Sequence, residues 1–334
     1  MIRPFGTLAD GRAVTAAHLS WPGGISVEVL DYGATVRRLT VPTPGGPVET
    51  VLGFATLAEY EADGAYQGVV IGRCANRIEG ARFTIDGREH QVAANEGETC
   101  LHGGIPGFDG RLWAFERLGD REAVLTYRSP DGEEGFPGNV TARASFSLPD
   151  PASLLISYEA ITDAACPVNL THHLYFNLSG DHRHPVTDHL LSIASPAMTP
   201  VRPDLIPTGE IAPVEGTPFD LREAKRIGDA MAQAHPQIAL AKGYDHNWVL
   251  APDARPALTL RSPETGVSLE IETDQPGMQV YSGQGLAEPF APFCGLALEP
   301  QGFPNAVNTP GFPDVVLRPG ETYRRRVLYR FGLG

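Results

Sequence analysis

Residues 142–158 read ARASFSLPDPASLLISY, and the spacing of their apolar side chains decides the fold. Ala142, Ala144, Phe146 and Leu148 occupy every second position, with Arg143, Ser145 and Ser147 between them. A period of two sends successive side chains to opposite faces of an extended chain, so the segment predicts a strand with one face in the core. Asp150-Pro151 marks a reversal, after which Leu154, Ile156 and Tyr158 resume the alternation. Upstream, Ser129-Pro130-Asp131-Gly132 and the residues to Gly138 form a turn-rich connection between Leu125 and Val140.

The same alternation recurs at Ile25-Val27-Val29, at Val267-Leu269-Ile271 and from Tyr323 through Arg325, Val327 and Tyr329 to Phe331. With 37 glycines and 30 prolines, the chain favours many short strands joined by turns over long helices. Helical patterning is confined to Leu57–Ala62 and to a span from Leu221 to Ala234, which Pro236 is expected to stop. Strands alternating with helices of ordinary length are missing, which argues against an α/β fold. The expectation is an all-β chain: a large antiparallel β-sandwich with few short helices, forming one domain over residues 1–334.

Charge and composition narrow the function. A formal net charge of −14 over 334 residues disfavours nucleic acid and anionic membranes as partners. No run approaches the length of about 20 apolar residues that spans a bilayer, and the N-terminus lacks the apolar stretch of a signal peptide. Cys74, Cys100, Cys166 and Cys294 are far apart and form no Cys-x-x-Cys pair, so a reducing cytoplasm is the expected location.

Six polar clusters interrupt the strand pattern. Near the C-terminus, Leu298-Glu299-Pro300-Gln301 sets a carboxylate and an amide on one face if extended, before Pro304 and Pro310 turn the chain into a loop. Arg73 and Arg77 lie four apart around Asn76, either as surface ion-pairing residues or as guanidinium forks that hold oxygens in a cleft. His102 precedes Gly103-Gly104, a setting equally natural for a plain loop. In Asn169 to Leu178, parity places His173 with Asn169, Thr171, Tyr175 and Asn177 on a polar face expected to line a cleft. His172 falls with Leu170, Leu174 and Phe176 on a face expected to be buried. Asp245 opens another strand, and Gln279 and Tyr281 share a face suited to sugar hydroxyls and apolar sugar edges. The zinc-protease spacing is absent and the adjacent His172 and His173 diverge, so no metal and no cofactor is expected.

In their order along the chain these clusters resemble the aldose 1-epimerase, or galactose mutarotase, family. The resemblance rests on GRCANRIEGARF at 72–83, LHGG at 101–104, THHLYFNL at 171–178, GYDHNWVL at 243–250 and LEPQGFPNAVN at 298–308. It implies interconversion of the α and β anomers of a free aldose such as galactose or glucose, with Glu299 as general base, His173 as general acid and His102 assisting. Arg73 and Asp245 would hold sugar hydroxyls, with Asn76, Gln279 and Tyr281 supporting the cleft. The chain departs from the family pattern at His172 and Thr99, where Asn is usual, and at Asn305, where an acid is usual. A monomer or homodimer fits equally. Three alternatives stay open: an epimerase of hexose 6-phosphates, a non-catalytic carbohydrate-binding module on the same fold, and a glycoside hydrolase using Asp245 and Glu299.

Overall fold

The structure is a computed structural model and describes residues 2–333. The segment 142–158 lies in the middle of a nine-stranded antiparallel sheet. Val140–Asp150 pairs with Ser153–Thr162 so that Phe146 faces Ile156 and Ala144 faces Tyr158. Ser153–Thr162 pairs in turn with Tyr323–Leu333, where Ile156 meets Val327. Val267–Thr273, Leu258–Arg261, Leu190–Ile193 and Lys225–Arg226 extend the sheet on that side, and Glu122–Ser129 and Ala114–Leu118 on the other. The alternation is obeyed: Ala142, Ala144, Phe146, Leu154 and Ile156 are buried, and Arg143, Ser145 and Leu155 between them are more open to water.

A second sheet of six strands covers the apolar face of the first. Its order is Tyr175–Phe176, Leu296–Gln301, Gly277–Tyr281, Asp245–Val249, Ala197–Thr199 and Ala212–Pro213. Phe176, Leu296, Leu298, Met278, Val280 and Trp248 point from it into the same apolar cluster as Ile156, Val327 and Tyr329. The rings of Phe176 and Tyr329 lie 5.6 Å apart across that interface. Burying each such side chain contributes roughly 1.5–3 kcal/mol, which makes this layer the main source of stability. A five-stranded sheet formed by residues 2–49 adds Val27, Val29 and Leu39 to the cluster. The two-sheet sandwich expected from the sequence is therefore present, with a third sheet at its edge.

Because side chains alternate, the six-stranded sheet turns a second set of residues away from the core. Cross-strand pairs Asp245 with Tyr281, Asn247 with Gln279, Gln279 with Glu299 and Tyr175 with Ala297 share that other face. Four of the residues expected at a site are thereby gathered by register alone.

Two local expectations are corrected. Pro236 starts a helix, Pro236–Ala241, instead of ending one. Proline suits a first helical position because its missing N–H has no partner there, and His235 Nδ1 caps the turn by accepting from Gln237 N–H at 3.2 Å. The helix expected over 221–234 is only Ile227–Met231. The stretch Asn169–Leu178 is not one strand either. Thr171–His172 pairs with Val70–Ile71, and Tyr175–Phe176 pairs with the strand of Glu299.

His172 is fully buried, as parity predicts. Its Nε2–H donates to Ala34 O at 3.1 Å, so Nδ1 accepts from the Tyr158 hydroxyl at 2.7 Å. Burial lowers its pKa to about 4. The unfolded chain, with an ordinary histidine near 6.5, then binds a proton between those values that the folded chain refuses. The stabilisation from neutral His172 is complete above pH 6.5 and is lost as pH falls towards 4, by roughly 3 kcal/mol. We expect His172→Asn to flatten the pH dependence of unfolding free energy over that window. Urea denaturation of both proteins at several pH values checks this, and parallel curves would refute it.

Candidate active site

A cavity of about 390 Å³ opens on the outer face of the six-stranded sheet, large enough for one sugar ring. Glu299, Asp245, Tyr281 and Tyr175 rise from the sheet into it, and His102, His173, Asn76 and Arg77 line it from segments outside that sheet.

Glu299 and His173 meet at its floor, His173 Nε2 standing 3.6 Å from Glu299 Oε1. That is too long for a direct hydrogen bond and short enough for both to reach one bound hydroxyl or ring oxygen. Both side chains are almost fully buried. Burial lowers the pKa of His173 to about 4. Burial, with a smaller contribution from Asp245, pushes Glu299 well above the carboxylate range against the opposing charge of Arg77. Desolvation thus disfavours charge on both partners. A nearby carboxylate on its own would favour a charged His173, and burial outweighs it.

His102 sits in the left-handed region, φ 53°, and its Nδ1 accepts the backbone N–H of Asn76 at 3.2 Å. That bond fixes the tautomer of the neutral ring and leaves Nε2 carrying hydrogen. Burial lowers its pKa well below the usual value, reinforced by His173 and Arg77. Gly103 lets the chain turn there: its φ is +91°, and a Cβ would fall 2.1 Å from Gly72 O. His102, His173 and Glu299 place potential metal ligands within 4.8 Å of one another. With Nε2 protonated and Nδ1 engaged by a backbone donor, His102 has no free lone pair for a metal. With its ring held this way, the trio does not offer three metal ligands.

Arg77, not Arg73, reaches the cavity. Arg77 grips Glu96 with Nε and Nη2 at 2.6 and 2.9 Å, and its Nη1 lies 3.5 Å from Asp245 Oδ2. Gln279 Nε2 donates to Asp245 Oδ1 at 2.6 Å, so the carboxylate is held from both sides. Gln279 itself lies beneath the cavity, whereas Tyr281 lines it and accepts from Gly285 N–H at 2.7 Å. Arg73 is buried elsewhere. Its guanidinium donates to Ser129 Oγ and to the carbonyls of Ser129, Pro130, Pro137 and Gly138 at 2.6–3.2 Å. It clamps the turn-rich connection before Val140 and has no part in the cavity.

The polar face around His173 is also corrected. Only His173 and Tyr175 line the cavity; Asn169, Thr171 and Asn177 are buried behind it. Asn169 exchanges two hydrogen bonds with Gly302, and Thr171 donates to Pro300 O at 2.8 Å. These residues tie the histidine segment to the glutamate strand, which fixes the spacing of the pair. Sequence reading missed Glu96 and the ring of Tyr66, which packs edge-on against His102 at 4.6 Å. No local motif marks either one; the arginine cluster opposite Glu96 was the available signal.

A sequence model of the family described as aldose 1-epimerase matches residues 16–330. The chain belongs to the aldose 1-epimerase family. It is 38% identical to galactose mutarotase of Sus scrofa over 340 residues, covering 98% of this chain and 97% of that one. It is 37% identical to aldose 1-epimerase of Escherichia coli over 335 residues, covering 96% of each. Among solved structures, an aldose epimerase homologue from C. elegans superposes with a TM-score of 0.90 at 29% identity, covering 96% of this chain and 99% of that one. Galactose 1-epimerase from Lactobacillus acidophilus gives 0.89 at 28%, covering 100% and 99%.

Two departures from the family pattern have physical readings. Asn305 Oδ1 accepts from Glu79 N–H at 3.0 Å while its amide faces Glu79 Oε2 at 3.3 Å; an acid there would set two carboxylates together. Thr99 closes a turn by hydrogen bonding with the backbone of Glu96, the partner of Arg77.

Proposed function

We propose that this member of the aldose 1-epimerase family interconverts the anomers of a free aldose, with Glu299 and His173 exchanging protons at the anomeric hydroxyl and ring oxygen. The observation that carries the assignment of roles is the buried Glu299–His173 pair at the floor of a ring-sized cavity. Ring opening needs a base for the C1 hydroxyl proton and an acid for the ring oxygen. Closure on the other face of the aldehyde needs the reverse, so no proton is gained or lost over a cycle.

Desolvation suits this cycle. A buried carboxylate is a stronger base and a buried imidazolium a stronger acid than either is in water. After ring opening Glu299 holds a proton and His173 is neutral, which is the protonation the pocket favours. The empty enzyme with one proton on the pair therefore differs from the reactive form only in where that proton sits. His102, as an Nε2–H donor, fits a role in stabilising oxygen without itself gaining charge. Asp245, Arg77 and Asn76 are placed to hold hydroxyls remote from C1.

A free sugar fits better than a hexose phosphate. Arg77 is already matched by Glu96 and Asp245, and Glu299 adds a third acid to a lining whose other cation is Lys242. Such a wall offers a dianion few unmatched cations. Polarimetry of freshly dissolved α-anomers of glucose, galactose and arabinose, beside glucose 6-phosphate, tests this. We expect acceleration with free sugars and little with the phosphate; the reverse order would overturn the assignment. We place the enzyme in the cytoplasm, a reading supported by four cysteines that are all free and buried. We treat residues 1–334 as one domain, supported by the apolar cluster that joins all three large sheets.

A further inference from the structure

Beneath the cavity, the outer face of the six-stranded sheet carries a row of buried polar side chains. Thr199 pairs with Asn247, Asn247 with Gln279 and Gln279 with Glu299 across successive strands, and Gln301 follows Glu299 on the same face. None is more than 3% exposed. Among the described residues, Thr199 Oγ1, both amide atoms of Asn247 and Gln301, Gln279 Oε1 and Glu299 Oε2 have no hydrogen-bond partner. Leaving one such atom unmet is costly, and seven side by side are far outside what a folded core tolerates. Gly277 lets the Asn247 amide pack directly on the neighbouring strand: a Cβ there would stand 2.2 Å from Asn247 Oδ1 and 3.1 Å from the Phe303 ring.

The chemistry of these atoms specifies the partner they call for. The amide nitrogens of Asn247 and Gln301 are donors; Glu299 Oε2 and Gln279 Oε1 are acceptors. A single water accepts two hydrogen bonds and donates two, which matches these four of the seven atoms, and buried waters typically make two to four such bonds. We infer that Asn247, Gln279 and Gln301 enclose an internal water-binding site behind Glu299, the water donating to Oε2, and that Asn247 and Gln301 thereby act as positioning residues for proton transfer. This rests on Glu299 serving as the base.

The ionisable groups facing Glu299 are His173 and His102 across the cavity, Asp245 and Arg77 beside it, and Tyr175 and Tyr329 from the packed strands. None of them donates a hydrogen bond to Oε2. The water is the group that makes the charged carboxylate attainable in a site otherwise hostile to it. Without it the reactive form, with the proton on His173, becomes scarcer, and the carboxyl group releases its proton only at higher pH.

The test has two arms. A high-resolution crystal structure of the unaltered protein should show an ordered water within hydrogen-bond distance of Glu299 Oε2 and of the Asn247 or Gln301 amide. Gln301→Met and Asn247→Leu, which keep volume and remove the donors, should lower kcat about tenfold or more. Each should also move the alkaline limb of the kcat profile up by about one to two pH units, as expected for losing a hydrogen bond to a charged group. KM should stay nearly constant, since neither side chain lines the cavity. A dry site with the amides bonded to one another overturns the inference, as does a fall in kcat with the limb unmoved. If both variants fail to fold, the crystallographic arm decides alone. Full activity in Glu299→Gln would instead break the assignment of the base, and would leave the water visible in the map.

Discussion

Glu299→Gln should lose about 10²- to 10⁴-fold in turnover, the ordinary contribution of one positioned acid or base. It should fold as well as the parent or better. The substitution keeps shape and removes an ionisable group that burial already opposes, with one oxygen lacking any protein partner. Polarimetry for turnover and calorimetry for Tm separate the two effects. The expected pattern, inactive yet equally or more stable, reflects strain held at a functional group. A variant that is inactive because it is unfolded would carry no information about the base, and one that is stable and fully active would refute the assignment.

The second large effect divides the two arginines. Arg73→Met should destabilise the protein by roughly 3–5 kcal/mol, because a buried cation is lost and the carbonyls it served are left without a donor. The fraction that stays folded should retain its kcat/KM, since Arg73 does not reach the cavity. Arg77→Met should instead depress kcat/KM per folded molecule, by loosening Asp245 at the cavity wall. Urea titration together with polarimetry distinguishes them. A loss of kcat/KM in Arg73→Met at unchanged stability would return that residue to the site.

The contrast between these arginines shows where sequence reading stops. Strands were legible because alternation along Val140–Asp150 or Ser153–Thr162 is a direct consequence of burying one face. The same rule singled out His173 over His172 and put Gln279 with Tyr281, and Glu299 was legible from its motif. Between Gly72 and Ile78 the rule has no purchase, since Asn76 adopts φ 61° and the backbone does not keep a regular period. Which of two arginines four residues apart enters the cavity is then set by contacts 19 and 168 residues distant. Glu96 was invisible for the same reason. The polar face of Asn169, Thr171 and Asn177 misled differently: polarity signalled hydrogen bonding correctly, but the partners are backbone groups of the glutamate strand and its neighbours, not a ligand.

The division of labour across Leu296–Gln301, with leucines inward and Glu299 and Gln301 outward, has a practical consequence for re-engineering substrate range. Glu299 stands on a rigid strand, while much of the cavity rim comes from loops: Gly64 to Tyr66, Leu205, Lys242, and Gln284 to Gly285. A mutant library confined to those loop positions, with Tyr66 kept because its ring packs against His102 and His173, would diversify which sugars are accepted without disturbing either the sandwich or the Glu299–His173 pair. That separation lets one scaffold be retuned for new hexoses and pentoses one rim residue at a time.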